Sequence, residues 1–209
     1  MPKGFTKREK ELINQRLLEA GNHLFSTYGL KKTNVEEIAA AAGISKGAFY
    51  NFYESKEALF MDVVEETEKR VRQEIFEMID QPGITPRARL FAIFKKAFTL
   101  FKTIPLLHFF TRSEYDLLFR RLPEKKLQDH LGSDRKFFEE LFNRCRKAGI
   151  PIQASIEQIS PLMYAVFFSS LHENDFAVSG YSGSSDVLLE LTAAFCLGEV
   201  TLQPDIQSK

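Results

Sequence analysis

Apolar residues recur at spacings of three and four along most of this chain, and strand-like alternation is almost absent. Ile13, Leu17, Ala20 and Leu24 line one face of a helix expected over 7–28, with Gly29 as its stop. Shorter patterns predict helices over 35–42 and 46–53. A longer one starts after Ser55. Its stripe of Phe60, Val63, Val64, Thr67, Val71, Ile75, Met78 and Ile79 holds helical phase up to Asp80, where Gln81-Pro82-Gly83 breaks it. Thr85-Pro86 opens a fifth helix with a cap and a proline at the first helical position. That helix is apolar on two adjacent stripes, one of Phe91, Phe94, Phe98 and Phe101 and one of Leu90, Ile93, Ala97 and Leu100, so most of its surface should be buried. A short helix is expected after Pro105, and another from near Pro123 or Ser133 to Gly149. Ser155 with Gln158 marks the start of one that reaches about Asn174. A Gly/Ser-rich loop over 179–185 leads to the last, over 186–197. About nine helices and no sheet predict an all-α fold.

The stretch from Thr33 to Leu59 is the most specific. Thr33 or Asn34 can cap a short helix, and each has a Glu three residues on, Glu36 and Glu37. Val35, Ile38 and Ala42 form its apolar face, and Ala39 is small where a second helix must cross closely. Gly43 falls where the turn needs a positive φ. Ile44 fills the angle. Ser45 caps the next helix, and no acid follows it in the first turn. An acid-free helix start favours anions, because the exposed N–H groups carry partial positive charge. Phe49 and Phe52, three apart, point to the core and leave Tyr50 and Asn51 outside. This is the layout of a helix-turn-helix whose second helix enters the DNA major groove. It equally describes an ordinary three-helix domain, and the segment alone leaves both readings open.

The flanking residues resemble one family closely. Leu17-Leu18, Ala20, Leu24-Phe25 and Gly29 are similar to the first helix and glycine stop of the TetR family of bacterial regulators. Thr33-Asn34-Val35, Ile38-Ala39 and Ala42-Gly43-Ile44-Ser45 resemble its second helix and turn. Lys46 to Tyr53 resemble its recognition helix, and Ser55 to Leu59 the start of the helix that follows. The likeness covers about a third of the chain. One position departs from it: where the family often carries a phosphate-binding His, this chain has Phe52, which cannot donate a hydrogen bond and is assigned to the core. The resemblance implies a DNA-binding domain over 1–55 and a ligand-binding and dimerisation domain over 56–209. It implies DNA contacts at Thr33, Asn34, Ser45, Lys46, Gly47, Ala48, Tyr50, Asn51 and Lys56. Lys46 is expected on a phosphate or a guanine edge, and Tyr50 and Lys56 on phosphates. Asn51 and the Gly47-Ala48 backbone are expected to read bases.

Composition alters this picture little. The chain has 209 residues and no net formal charge. Residues 1–56 hold nine Lys/Arg against six Asp/Glu, a net +3, which leaves 19 against 22 and a net −3 for the rest. A mildly basic head suits DNA. The two cysteines, Cys145 and Cys196, lie far apart in sequence, and the four His show no metal-ligand spacing. Phosphate loops, nucleophile elbows and Cys/His pairs are absent, so neither an enzyme nor any cofactor or metal is expected. No signal-like or membrane-length apolar run occurs, which suits a cytoplasmic protein.

After residue 56 stand 16 of the 20 Phe, mostly core material by ordinary burial preference. An apolar pocket with a few polar groups is expected from Phe98, Phe101, His108, Arg112, Tyr115 and Tyr164, although each also fits an ordinary packed or surface role. Met163 and Phe167 on one late helix, with Leu188, Leu191 and Phe195 on the last, form apolar seams that suit a two-fold four-helix bundle or packing within one chain. The expectation is a homodimeric repressor released from a palindromic operator by a small, largely apolar or aromatic effector. The alternative is a helical small-molecule binding or dimerisation protein without DNA function.

Overall fold

The computed structural model describes residues 5–80, 84–108, 117–118, 120–171 and 183–201. Among these residues the regular structure is helical, with no strand. The helices are α1 (Lys7–Lys32), α2 (Val35–Ala41), α3 (Lys46–Phe49), α4 (Lys56–Glu77), α5 (Pro86–Thr103), α6 (Pro105–His108), α7 (Glu124–Lys147), α8 (Ile156–Leu171) and α9 (Ser184–Cys196).

The local signals account for most of these bounds. Thr6 and Glu9 form a reciprocal capping box that starts α1. Gly29, at φ 76°, breaks α1 where the glycine stop was expected, and one more turn follows before Thr33. Asn34, rather than Thr33, caps α2: its Oδ1 accepts from the Glu37 amide while the Glu37 carboxylate accepts from the Asn34 amide. The Thr85 hydroxyl accepts from the Ala88 amide at the start of α5. Helix α7 starts after Pro123 and runs through Ser133 without a break. At α8 the Gln158 side chain accepts from the Ser155 amide, as the box pattern predicts. One expected length is wrong. Helix α3 ends at Phe49 instead of running to 53. The next residues still wind, with Asn51 and Phe52 amides donating to the Ala48 and Phe49 carbonyls, a tighter turn of the kind that closes short helices.

The contacts divide the chain into two compact units, one of residues 1–70 with 101–129 and one of 71–100 with 130–209. This division differs from a boundary at 55, because the first part of α4, with Leu106, Leu118 and Leu122, packs with the head. In the first unit, Leu17, Phe25, Leu30, Ile38, Phe49, Leu59, Phe60, Val63 and Val64 form one core with Leu106, Leu118 and Leu122. Each fully buried ring or aliphatic chain contributes about 1.5–3 kcal/mol relative to exposure. Gly21 lets α4 approach α1 closely: a Cβ there would lie 3.2 Å from side-chain atoms of Leu59 and Val63. Phe25 and Phe60 meet edge to face at 5.1 Å across the same junction.

In the second unit α8 packs on α9, and Leu189, Ala193 and Cys196 form the buried face of α9. The amides of Gln153 and Ala154 donate to the Cys196 carbonyl and so finish that helix. Gly198 follows at φ 74°, where a Cβ would collide with the Gln153 carboxamide. Arg72 donates to Asp134 at 2.7 Å and to the Ser133 hydroxyl at 2.8 Å, tying α4 to α7 inside this unit.

Candidate nucleic-acid interface

Helix α2, the Gly43 turn and α3 form the expected helix-turn-helix. Gly43 has φ 73°, and the Ile44 amide donates to the Ala39 carbonyl at 2.9 Å, closing the turn over the small Ala39 side chain. Ile38, Ala39, Ala42 and Phe49 are buried, so the two helices are held by the core rather than by the turn alone. The Ser45 hydroxyl accepts from the Ala48 amide at 3.1 Å, and no acid stands in the first turn of α3. A Cβ at Gly47 would meet little except the Ser45 hydroxyl at 4.0 Å, so the start of α3 presents backbone to open space.

The nine candidate DNA-facing residues divide into three groups. Asn34, Ser45, Lys46, Gly47, Tyr50 and Asn51 are exposed and Ala48 is half-exposed, and Tyr50 keeps 51% of its surface accessible. The Lys46 ammonium rests on the Glu36 carboxylate of α2. Their hydrogen bond raises the lysine pKa and lowers that of the glutamate, so both stay charged. Thr33 forms the second group and is a correction. It is 1% exposed, and its hydroxyl donates to the Gly29 carbonyl at 2.8 Å, so the side chain seals the end of α1 and has no surface to offer DNA. The third is Lys56, which is half-buried. Its ammonium lies 2.6 Å from the Thr33 carbonyl, 2.7 Å from that of Leu30 and 3.4 Å from that of Lys31. An ammonium has three donors. The Thr33 and Leu30 carbonyls take two of them closely, while that of Lys31 stands at the edge of hydrogen-bond distance.

Phe52 is half-buried at the rim of the core, its ring 5.9 Å from that of Phe5, so its assignment to the core holds only in part. Sequence reasoning passed over the residue beside it. Tyr53 is buried, and its hydroxyl donates to Asn14 at 2.8 Å, fastening the end of the recognition segment to α1. Burial, with the Asp62 carboxylate nearby, pushes its pKa well above the ordinary tyrosine value. The aromatic pair Phe49/Tyr53, four apart, was the available signal.

The candidate pocket residues are less well placed. Phe98 is buried, and the Tyr164 hydroxyl donates to Asp134 at 3.0 Å beside Arg72. The side chains of Phe101 and His108, and all of Arg112 and Tyr115, lie outside the described residues. A shallow recess of about 470 Å³ is lined by Phe76, Asp80, Glu140, Arg144 and Lys147 among others, and by none of the six candidates. Arg144 lies flat on the Phe76 ring there, 4.0 Å from its centre. Of the candidate seam residues, Leu191 is half-exposed, Leu188, Phe195 and Met163 are half-buried, and the Phe167 side chain lies outside the described residues. Val187, one turn before Leu191, is 60% exposed.

Comparison with known proteins places the likeness in the head of the chain. The family described as "Bacterial regulatory proteins, tetR family" matches residues 17–63, which span the α1 core face, the helix-turn-helix and the start of α4. Over this stretch the chain is similar to the TetR family. The transcriptional repressor DhaR of Mycobacterium sp. (strain GP1) is 35% identical over 78 residues, 37% of this chain and 39% of that protein. The regulator AcrR of Shigella flexneri is 36% identical over 66 residues, 32% of this chain and 31% of that protein. The matched stretch therefore spans about two fifths or less of these relatives' length. Among solved structures, the TetR-family repressor FadR of Thermus thermophilus, in complex with lauroyl-CoA, aligns over 91% of this chain and 96% of its own with a TM-score of 0.63 at 23% identity. FadR of Bacillus subtilis, in complex with stearoyl-CoA, aligns over 90% and 99% with a TM-score of 0.58 at 14% identity. These likenesses establish the TetR fold along most of the chain. No described helix is long and apolar enough to cross a membrane.

Proposed function

We propose that this TetR-family chain is a DNA-binding transcriptional regulator, a homodimeric repressor released from a palindromic operator by a small, largely apolar effector. The observation that carries the reading is the acid-free start of α3, capped by Ser45 and open at Gly47, beside a solvent-exposed Lys46, Tyr50 and Asn51. Backbone N–H groups with partial positive charge and a lysine suit phosphates, and Asn51 suits an adenine edge. The functional division at residue 55, head before and sensor after, belongs to the same proposal.

Exposed Val187 and Leu191 on α9 support pairing of two copies, since an isolated helix edge gains nothing from two adjacent large apolar groups in water. Light scattering should report twice the 24.0 kDa chain mass. Leu191→Glu should yield monomers and weaken operator binding, because a charge in an apolar seam is costly. A parent chain that is monomeric yet holds a palindrome tightly would remove the dimer from the proposal.

The lauroyl-CoA and stearoyl-CoA complexes of the two FadR proteins make acyl thioesters sensible first probes of the sensor. Selection of genomic duplexes by the purified protein, repeated with each probe, tests the whole reading. Recovery of one palindromic sequence that a probe releases supports it. Failure to enrich any duplex at low salt would favour the helical binding protein without DNA function.

A further inference from the structure

Residues 120–126, Arg-Arg-Leu-Pro-Glu-Lys-Lys, carry four Lys/Arg against one Glu, in a stretch after residue 56 that is net acidic. They belong to the first compact unit, with the head. Three side chains at four-residue spacing fasten them there. Leu118 and Leu122 are buried in the core that also holds Leu30, Leu59 and Phe60. Lys126, in the first turn of α7, donates to the Ala58 carbonyl at 2.9 Å and to the Asp62 carboxylate at 2.6 Å, both near the start of α4. The Pro123 carbonyl accepts from the Lys126 amide at 2.9 Å and so starts α7 at this point.

What this fastening leaves outside is cationic. Arg120, Arg121 and Lys125 are exposed, and none of the three has a hydrogen bond or ion pair with a described residue. Glu124, the acid of the segment, is turned along α7, where it accepts from Gln128 at 3.0 Å. The Arg121 guanidinium acts on Lys56, the first residue of α4, to which the family resemblance gives a phosphate contact. Burial lowers the pKa of that ammonium, and the like charge of Arg121 lowers it further, against the Glu57 carboxylate. Like charges gathered without acids repel one another in the free protein, and a polyanion relieves that repulsion.

We propose that Arg120, Arg121 and Lys125 form a second phosphate-binding patch, outside the helix-turn-helix, that extends the DNA surface of the head beyond Lys56. The inference rests on the DNA-binding reading above and adds to it residues from outside the TetR-like stretch 17–63. Such a patch reads no base. It binds the backbone of any duplex and releases counterions, so it contributes affinity and salt dependence but no sequence preference.

The experiment compares the full chain with Arg121→Gln, with Arg121→Lys, with the triple variant Arg120→Gln/Arg121→Gln/Lys125→Gln, and with Lys136→Gln, which removes an exposed lysine of α7 in the second unit. Affinities for a genomic duplex selected by the parent and for a random duplex are measured across a salt series. Arg121→Gln should lower the salt slope by about one and weaken binding to both duplexes by about fivefold near physiological salt, the effect of one lost phosphate. The triple variant should lower the slope by about two or more, with an unchanged melt because all three side chains are exposed. Arg121→Lys should keep the parental slope, and so should Lys136→Gln. A triple variant with the parental slope would overturn the proposal. An equal shift in Lys136→Gln would overturn it too, by making net charge the cause. A loss confined to the selected duplex, with the slope unchanged, would turn the segment into a support for the head instead of a phosphate contact. If the parent binds no duplex, the DNA reading fails and the patch with it. If the parent binds and the triple variant matches it, only the patch fails.

Discussion

The starts of α3 and α4 have nearly the same sequence and opposite uses. Each opens with Ser-Lys, at Ser45-Lys46 and Ser55-Lys56, and each serine hydroxyl accepts from an alanine amide three residues on at 3.1 Å. The caps are equivalent, but the lysines are not. Lys46 leans on an exposed carboxylate of α2 and keeps about half its side-chain surface in water. Lys56 turns back into three carbonyls of the α1 terminus. What stands opposite each helix start makes the difference. Glu36, on a neighbouring first turn, can release its partner to a phosphate at little cost, since exposed ion pairs contribute only about 0–1 kcal/mol. The part-buried carbonyls of Leu30 and Thr33 hold the Lys56 ammonium more closely, and water would have to replace it there. Similar local signals therefore leave one lysine on a surface carboxylate and the other on backbone carbonyls.

The strongest way to break this comparison is to remove what both starts stand on. Phe49 is fully buried beneath α3, so Phe49→Ala should cost about 3–5 kcal/mol of head stability, read by denaturant melts. Phe52→Ala, at the half-buried rim, should cost less, about 1–2 kcal/mol. Equal losses would mean that the recognition segment packs more deeply than the structure shows.

The next test gives α3 the sequence of α4. Gly47→Glu converts Ser-Lys-Gly-Ala into the Ser-Lys-Glu-Ala found at 55–58. The added Cβ meets open space, so the fold should persist. A carboxylate at the phosphate-facing end should weaken operator binding by at least about 2 kcal/mol, through repulsion and lost N–H contacts. Binding at parental affinity would show that this end of α3 does not face DNA.

Lys46→Ala sharpens the contrast between the two lysines. It should weaken binding by about 1–3 kcal/mol and lower the salt slope by about one, with the melt unchanged. Mobility-shift titrations over a salt series would show it. A loss of affinity with no change of slope would make Lys46 a base or positioning contact instead.

The smallest expected effect concerns Tyr53. Tyr53→Phe removes the hydrogen bond to Asn14 and should cost about 1 kcal/mol. Its pH signature is distinctive. A raised pKa in the fold means that the folded state keeps the phenol proton longer than the unfolded chain does. Stability is then fully present below the ordinary value of 10.0 and falls as pH rises above it. The parent should lose stability between pH 10 and 11 faster than Tyr53→Phe, in paired melts at each pH.

The sequence alone determined what local chemistry controls. Periodicity placed the helices, Gly29 and Gly43 marked the breaks where φ is positive, and serine and asparagine caps fixed the starts. The order of these signals within 17–63 carries the likeness to the TetR family. Tertiary structure decided what depends on the neighbour across a gap. Thr33 and Asn34 look interchangeable in sequence, yet one is sealed inside the end of α1 and the other caps α2. The division of α4 between two compact units has no mark in its continuous apolar stripe. Lys46 and Lys56 carry the same flexible four-carbon stem, which can swing its charge to whatever lies within reach. Backbone preference extends over three or four residues, but a long side chain is placed by groups that only folding brings near.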